Sequence, residues 1–134
     1  MAENRSTVSL YLICADTAKA LDFYVNGLGA TEIMRWVDPE NGKIGHSEFR
    51  LGDTTLYAAD GYQTMESIGV RNPTALGGTT VNLWLQVDDL DAALKRALDA
   101  GAALTRAIEV NPNEGGRRAR IADVAGHAWT LTEK

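Results

Sequence analysis

Two seven-residue stretches of the chain share one pattern, VSLYLIC at residues 8–14 and VNLWLQV at residues 81–87. In each stretch, leucines alternate with a mixed set of polar and aromatic side chains, which is typical of a β-strand that packs one face on a helix. The two stretches lie 73 residues apart in a chain of 134 residues. This offset indicates that one structural unit occurs twice.

A helix is predicted directly after each of these strands. Asp16 and Asp89 can each cap a helix N-terminus, because a carboxylate accepts hydrogen bonds from the first free backbone amides. Apolar residues at helical spacing continue to Leu28 and Leu98, and a glycine follows each helix. Glycine is favoured there because the left-handed conformation just beyond a helix costs it least.

Three more strands follow each predicted helix, separated by turns rich in glycine, proline and asparagine. They are predicted at residues 32–37, 44–51 and 55–59 in the first half and at residues 104–110, 118–122 and 128–132 in the second half. The chain is therefore predicted to be an α+β protein of two tandem βαβββ modules, residues 8–59 and 81–132, in one domain spanning residues 1–134. Residues 60–78 join the modules, either as a plain linker or as a lid over a pocket.

The composition argues against several classes of protein. A net charge of −5 argues against a nucleic-acid partner, since phosphate binding depends on clustered lysine and arginine. No apolar stretch approaches the roughly 20 residues of a membrane helix. The single cysteine, Cys14, cannot form an internal disulfide. We therefore expect a cytoplasmic protein that binds neither nucleic acid nor a membrane.

The order and spacing of these features resemble the glyoxalase/bleomycin-resistance/extradiol-dioxygenase superfamily, also called the vicinal-oxygen-chelate superfamily. The resemblance rests on residues 16–30 and 87–102, which carry the capping aspartates and end in Leu-Gly-Ala or Ala-Gly-Ala, and on DVAGHAW at residues 123–129. The last segment is similar to the family's Asp-Pro-x-Gly-His/Asn turn, with Val124 in place of the proline. The resemblance implies two curved sheets around a shared cavity, with the helices outside, and a homodimer.

Metal-using members of this superfamily carry His, Gln or Glu at four strand positions, which fall on Ser9, Tyr57, Asn82 and Thr130 of this sequence. Two hydroxyls, a phenol and an amide are a poor donor set for a divalent metal, which needs several carboxylate, imidazole or thiolate donors. We therefore expect no metal ligands at these positions and no cofactor.

Strand alternation identifies the side chains that are expected to line the cavity. If the leucines face the helices, Tyr11, Trp84 and Asn82 face the opposite side of their strands. Such aromatic and polar groups suit a ring-bearing organic molecule. The expected ligand-binding residues are Tyr11, Trp36, His46, Glu48, Tyr57, Asn82, Trp84, Arg118 and Arg120. The alternative is that Tyr11 and Trp84 fill the cavity as packing residues.

The third strand carries the best candidates for catalysis. His46 and Glu48 are two residues apart and so share one strand face. A histidine beside a carboxylate can act as a general base near neutral pH or supply two donors of an irregular metal site; an ordinary solvated pair is the alternative. In the second module, Arg118 and Arg120 share a face and can hold a carboxylate or phosphate, unless they are simply solvated.

Three functions remain open from the sequence. The first is metal-free binding of a small organic molecule, including antibiotic sequestration of the kind that the bleomycin-resistance branch performs on cationic drugs. The second is a lyase, isomerase or dioxygenase-type enzyme that uses His46 and Glu48 as acid and base or as metal ligands. The third is a non-catalytic module for assembly or regulation, whose own aromatic side chains fill the cavity.

Overall fold

A computed structural model describes residues 6–113 and 115–133, so the ends of the predicted domain, residues 1–5 and 134, lie outside the described residues. The first half contains β1 (Tyr11–Cys14), α1 (Thr17–Leu28), β2 (Thr31–Val37), β3 (Ile44–Leu51) and β4 (Thr54–Asp60). Two short helices follow, α2 (Gln63–Glu66) and α3 (Pro73–Leu76). The second half contains β5 (Asn82–Gln86), α4 (Leu90–Asp99), β6 (Ala103–Val110), β7 (Arg117–Ala122) and β8 (Ala128–Thr132).

The strands form two four-stranded sheets with the same topology. The order is β1-β4-β3-β2 in the first sheet and β5-β8-β7-β6 in the second. In each sheet the first strand pairs in parallel with the last, and the other pairs are antiparallel. The predicted α+β fold with eight strands and two main helices is confirmed. No helix in the described part of the chain is long and apolar enough to cross a membrane.

The start of each main helix is built in the same way in both modules. Asp16 and Asp89 cap α1 and α4 by accepting hydrogen bonds from backbone amides in the first turn. A second carboxylate, Asp60 at the end of β4 and Glu133 just after β8, accepts from the first amide of the same helix at 2.9 Å. These pairs recur at the 73-residue offset of the sequence, so the repeat extends to the hydrogen bonds that anchor each helix to its sheet.

The two modules share one apolar core between the sheets and the helices. Helix α1 lies against α4, and a Cβ placed at Gly27 would meet Ala100 of the other module at 3.0 Å, so glycine permits this close approach. The core contains Leu12 and Leu83, which alternation assigned to the helix side of their strands, together with Cys14, Phe49, Trp129 and Leu131. That part of the alternation argument is confirmed.

The first strand is shorter than predicted. It begins at Tyr11 rather than Val8, and Val8 is 95% exposed. β1 is an edge strand that pairs only with β4, and its paired register begins at Tyr11; just before it, the carbonyl of Leu10 accepts from the Tyr57 amide at 2.9 Å. Leu10, which we expected on the helix side, is 36% exposed and outside the core.

A buried carboxylate joins the two modules. Asp123, in the turn before β8, accepts hydrogen bonds from the Tyr24 hydroxyl of α1 at 2.6 Å and from the Trp129 indole at 2.9 Å. Its other oxygen accepts from the backbone amides of Ala125 and His127. The turn that resembles the family motif thus holds a helix of the first module against the last strand of the second.

Burial raises the pKa values of two groups beside this carboxylate, Tyr24 and Cys14. It raises the pKa of Tyr24 well above its ordinary value, and the negative charge of Asp123 raises it further. Burial likewise raises the pKa of the Cys14 thiol to about 12. Since thiolate is the reactive form of cysteine, Cys14 is an inert core residue.

Candidate functional site

Three rings cluster on the face of the first sheet that points away from α1, here called the open face. Tyr11 of β1, His46 of β3 and Tyr57 of β4 have ring centroids 5.1–5.6 Å apart in tilted or edge-on contacts. The register explains the cluster, because Tyr11 and Tyr57 are direct partners across β1 and β4. Tyr11 remains 39% exposed, so the open face presents these rings rather than burying them.

A chain of hydrogen bonds runs through this cluster. The Tyr11 hydroxyl lies 2.7 Å from Nδ1 of His46, and Nε2 of His46 lies 2.9 Å from a carboxylate oxygen of Glu48. About a third of each side chain of the His46–Glu48 pair is exposed. The pairing of His46 and Glu48 that we expected from their spacing on one strand is present. The link to Tyr11 was not predicted.

Burial also raises the pKa of Tyr11, and the negative charge of Glu48 adds to the shift. The Tyr11 hydroxyl therefore stays protonated throughout the physiological range of pH. It can donate one hydrogen bond and accept others, whereas a phenolate would only accept.

A cleft of about 290 Å³ opens beside Tyr11, here called the basin. Aromatic residues form much of its wall, and the linker supplies part of it. The lining residues are Tyr11, Ile13, Trp36, Gly45, Ala59, Asp60, Tyr62, Thr64 and Met65. The linker is therefore more than a plain connection, because α2 covers one end of the open face.

Trp36 lies close to a glycine, Gly45, in this wall. A Cβ at Gly45 would come within 2.6 Å of the Trp36 ring and 3.2 Å of the Tyr62 hydroxyl, so glycine is needed for both rings to approach the strand. Half of the Trp36 surface is still exposed. Trp36 was among the expected ligand-binding residues, and the structure places it in the basin. Gly45 and Tyr62 were missed.

A second cleft, of about 610 Å³, lies on the other side of Tyr11 and is formed largely by the linker. Its wall includes Ile13, Arg71, Pro73, Val81 and His127. The imidazole Nε2 of His127 lies 2.8 Å from the carbonyl of Ile13, so this histidine binds backbone across the two modules. Tyr11 lines both clefts.

The remaining expected site residues lie on the second sheet. Asn82 and Thr130 are hydrogen-bonded to each other, and Trp84 is 51% exposed beside them on β5. Trp84 lines neither of the two clefts next to Tyr11. We expected Tyr11 and Trp84, one from each module, to line one cavity, whereas the two clefts beside Tyr11 do not include Trp84.

The two arginines of β7 differ in their partners. Arg118 forms an ion pair with Glu109 at 3.2 Å, and the same carboxylate oxygen pairs with Arg106 at 3.1 Å. Arg120 has a buried Nε without a hydrogen-bond partner among the described residues. Binding of a carboxylate or phosphate by these two arginines stays a prediction.

The four positions that the resemblance assigned to metal ligands, Ser9, Tyr57, Asn82 and Thr130, are a poor donor set for a divalent metal. Asn82 and Thr130 satisfy each other at 3.0 Å, and Tyr57 is part of the ring cluster. Within residues 6–113 and 115–133, no group of three or more His, Cys, Asp and Glu side chains is placed to hold a metal ion. His46 and Glu48 together supply two metal-ligand groups, which is fewer than a divalent metal ion requires.

Comparison with known proteins identifies the family. The model of the Glyoxalase/Bleomycin resistance protein/Dioxygenase superfamily matches residues 7–131. The chain therefore belongs to this superfamily, as the resemblance indicated. An uncharacterized protein of Mycobacterium bovis is 39% identical over 124 residues, which cover 92% of this chain and 80% of that protein.

Solved structures agree with this assignment. A glyoxalase-related enzyme from Fulvimarina pelagi superposes with a TM-score of 0.76 at 21% identity, covering 98% of this chain and 89% of that one. A superfamily member from Sphaerobacter thermophilus has a TM-score of 0.68 at 25% identity and covers 98% of both chains. The first of these likenesses concerns the fold alone.

Proposed function

We propose that this protein binds a ring-bearing organic molecule in the basin of the first module, without a metal. The observation that carries the proposal is the partly exposed wall of Tyr11, Trp36 and Tyr62 around a cleft of about 290 Å³. Apolar clefts with a few convergent polar groups are the usual form of small-molecule sites. Stacking on these rings contributes about 0.5–1.5 kcal/mol per ring pair beyond the burial of apolar area.

The charges around the basin favour a cationic ligand over an anionic one. Glu48 lies on the open face, Asp60 lines the cleft, and the Tyr62 hydroxyl lies 3.4 Å from the Asp38 carboxylate. The ring of Tyr62 already has a cation over it, the Lys43 ammonium at 5.7 Å from the centroid. Sequestration of a cationic, ring-bearing antibiotic is the form of this function that we propose.

A set of three naphthalene compounds tests this proposal. 1-Naphthylmethylammonium, 1-naphthylmethanol and 1-naphthoate share the same ring and differ in charge. We expect the cation to bind about tenfold more tightly than the anion, because the aromatic faces and the carboxylates both favour positive charge. Isothermal titration calorimetry at one ionic strength gives the three dissociation constants.

Two results of that titration would contradict the proposal. Equal affinity for all three compounds would mean that the basin charges do not contact the ligand. Tighter binding of 1-naphthoate would move the site to a cationic surface, such as the one that contains Arg120.

We also propose that the protein is a cytoplasmic homodimer that binds neither nucleic acid nor membranes. The net charge of −5 supports the exclusion of nucleic acid, and the single buried thiol fits a reducing compartment. Support for a dimer comes from large apolar side chains on the edge strands β2 and β6. Ile33, Val37, Leu104 and Val110 are each 47–68% exposed, which is typical of a surface covered by a second copy.

Sedimentation equilibrium tests the dimer. At micromolar concentration we expect twice the mass of one chain, and we expect Leu104→Glu to shift the protein toward a monomer, because a charge placed in an apolar interface must be desolvated. Lys95→Glu, on the exposed face of α4, is the matched control and should leave the mass unchanged. A monomeric wild-type protein would contradict this proposal.

A further inference from the structure

We propose that Tyr11, His46 and Glu48 form a metal-free proton relay that catalyses keto–enol proton transfer in ring-bearing carbonyl compounds bound in the basin. This inference rests on the proposed binding function and adds an activity to it. Tyr11 is the catalytic residue that touches the ligand. His46 and Glu48 are positioning residues that act through it.

The hydrogen bonds fix the direction of the relay. An ionised carboxylate only accepts hydrogen bonds. Nε2 of His46 must therefore carry a proton and donate a hydrogen bond to Glu48 over 2.9 Å. In a neutral imidazole the other nitrogen, Nδ1, then has a free lone pair. The Tyr11 hydroxyl, 2.7 Å away, donates to that lone pair. The oxygen of Tyr11 keeps its own lone pairs to accept a proton from a ligand.

Tyr11 is the member of the relay that reaches a ligand. It lines both clefts of the first module, whereas His46 and Glu48 line neither. The two inner groups are also held on one strand, β3, and the ring of His46 contacts Tyr57 as well as Tyr11. An inner pair held on one strand and a partly exposed outer tyrosine at the cleft wall are an arrangement suited to proton transfer to a bound molecule.

The proton transfer is balanced without a further reactant. As Tyr11 takes the proton of an acidic C–H, its own hydroxyl proton moves to Nδ1 of His46, which becomes an imidazolium stabilised by Glu48. The electron pair of the C–H bond becomes the C=C bond of an enolate, whose negative charge lies on the carbonyl oxygen. Return of a proton from the relay to that oxygen gives the enol, and Tyr11 regains its proton from His46.

The raised pKa of Tyr11 agrees with this role. A tyrosine that remains protonated passes a proton through its hydroxyl and does not accumulate as a phenolate. The proton that leaves the Tyr11 hydroxyl is then taken up by the imidazole of His46, 2.7 Å away.

The test uses 1-phenylbutane-1,3-dione, which has an aromatic ring and a C–H acidified by two carbonyls. Its enol absorbs in the near ultraviolet, so the approach to keto–enol equilibrium is followed directly. We expect wild-type protein to accelerate this approach and Tyr11→Phe to lower kcat/KM by about 100-fold, the ordinary contribution of a general acid–base group. The Kd of the dione, from calorimetry, should change less than about threefold because the phenyl ring is retained.

The positioning residues have their own readouts. We expect Glu48→Gln to lower kcat by about tenfold with little change in KM, and Glu48→Asp to restore part of the loss. Glu32→Gln is the matched control, because Glu32 pairs with exposed Arg35 on β2, outside the relay. Nitrogen-15 NMR should show His46 protonated on Nε2 in the wild-type protein, with a loss of this preference in Glu48→Gln.

Each outcome bears on a separate claim. Binding of the dione without acceleration would overturn the relay and leave the binding function intact. Absence of both binding and acceleration would overturn both. Acceleration that persists in Tyr11→Phe, or that disappears after treatment with a chelator in a protein shown by elemental analysis to carry metal, would also overturn the relay.

Discussion

Asp123→Ala should lower the free energy of unfolding by about 3–5 kcal/mol, the usual cost of leaving buried groups without their charged partner. Asp123 is 5% exposed and accepts four hydrogen bonds. Its loss leaves the Tyr24 hydroxyl and the Trp129 indole without an acceptor inside the core. Because Tyr24 belongs to the first module and Trp129 to the second, the substitution weakens the contact between modules as well as one turn. Urea unfolding followed by far-ultraviolet circular dichroism measures the change.

Two further variants define the size of this effect. Tyr24→Phe removes one donor and keeps the ring stacked on Phe49, so it should cost about 1–1.5 kcal/mol. Asp88→Ala replaces an exposed aspartate and should change stability by less than about 0.5 kcal/mol. A loss below about 1 kcal/mol in Asp123→Ala would show that the carboxylate does not hold the modules together.

Much of the fold follows from local sequence patterns. The two strand patterns, the capping aspartates Asp16 and Asp89, and the glycines after the helices each indicate their own element because their physical cause is local. Alternation also placed His46 and Glu48 on one face of β3, where they form a hydrogen bond. Spacing of two on one strand is sufficient for that prediction, because both side chains must point the same way.

The rest of the site depends on contacts between distant parts of the chain. The hydrogen bond from Tyr11 to His46 requires the register of β1 against β4 and of β4 against β3, which strand patterns leave open. Tyr62 reaches the basin because the linker turns back over the first sheet, and the sequence allowed either a plain linker or a lid. The close approach of Trp36 to Gly45 also arises from tertiary packing, although a glycine within an otherwise regular strand is a signal of such an approach.

The sequence repeat also has a limit. It correctly predicts equivalent positions in the two modules, including Tyr11 with Trp84 and Tyr57 with Thr130. It does not imply equivalent surroundings. The linker covers one end of the first sheet and contributes to both clefts beside Tyr11, and Trp84 lines neither of those clefts.

Trp36→Ala should weaken binding of 1-naphthylmethylammonium by about 2 kcal/mol, or roughly 30-fold in Kd, as expected for an aromatic residue at the centre of a site. Trp36 forms one wall of the basin, and its ring can stack on the naphthalene while its electron-rich face attracts the ammonium. Fold stability should change little, because the side chain is half exposed and lies outside the core.

Calorimetric titration of 1-naphthylmethylammonium into wild type, Trp36→Ala and Trp84→Ala tests the location of the site most directly. The two tryptophans are a matched pair, 50% and 51% exposed on different sheets. A site in the basin of the first module predicts a Kd about 30-fold higher in Trp36→Ala and less than about threefold higher in Trp84→Ala. The opposite order, with Trp84→Ala the weaker binder, would contradict the account and place the ligand on the second sheet.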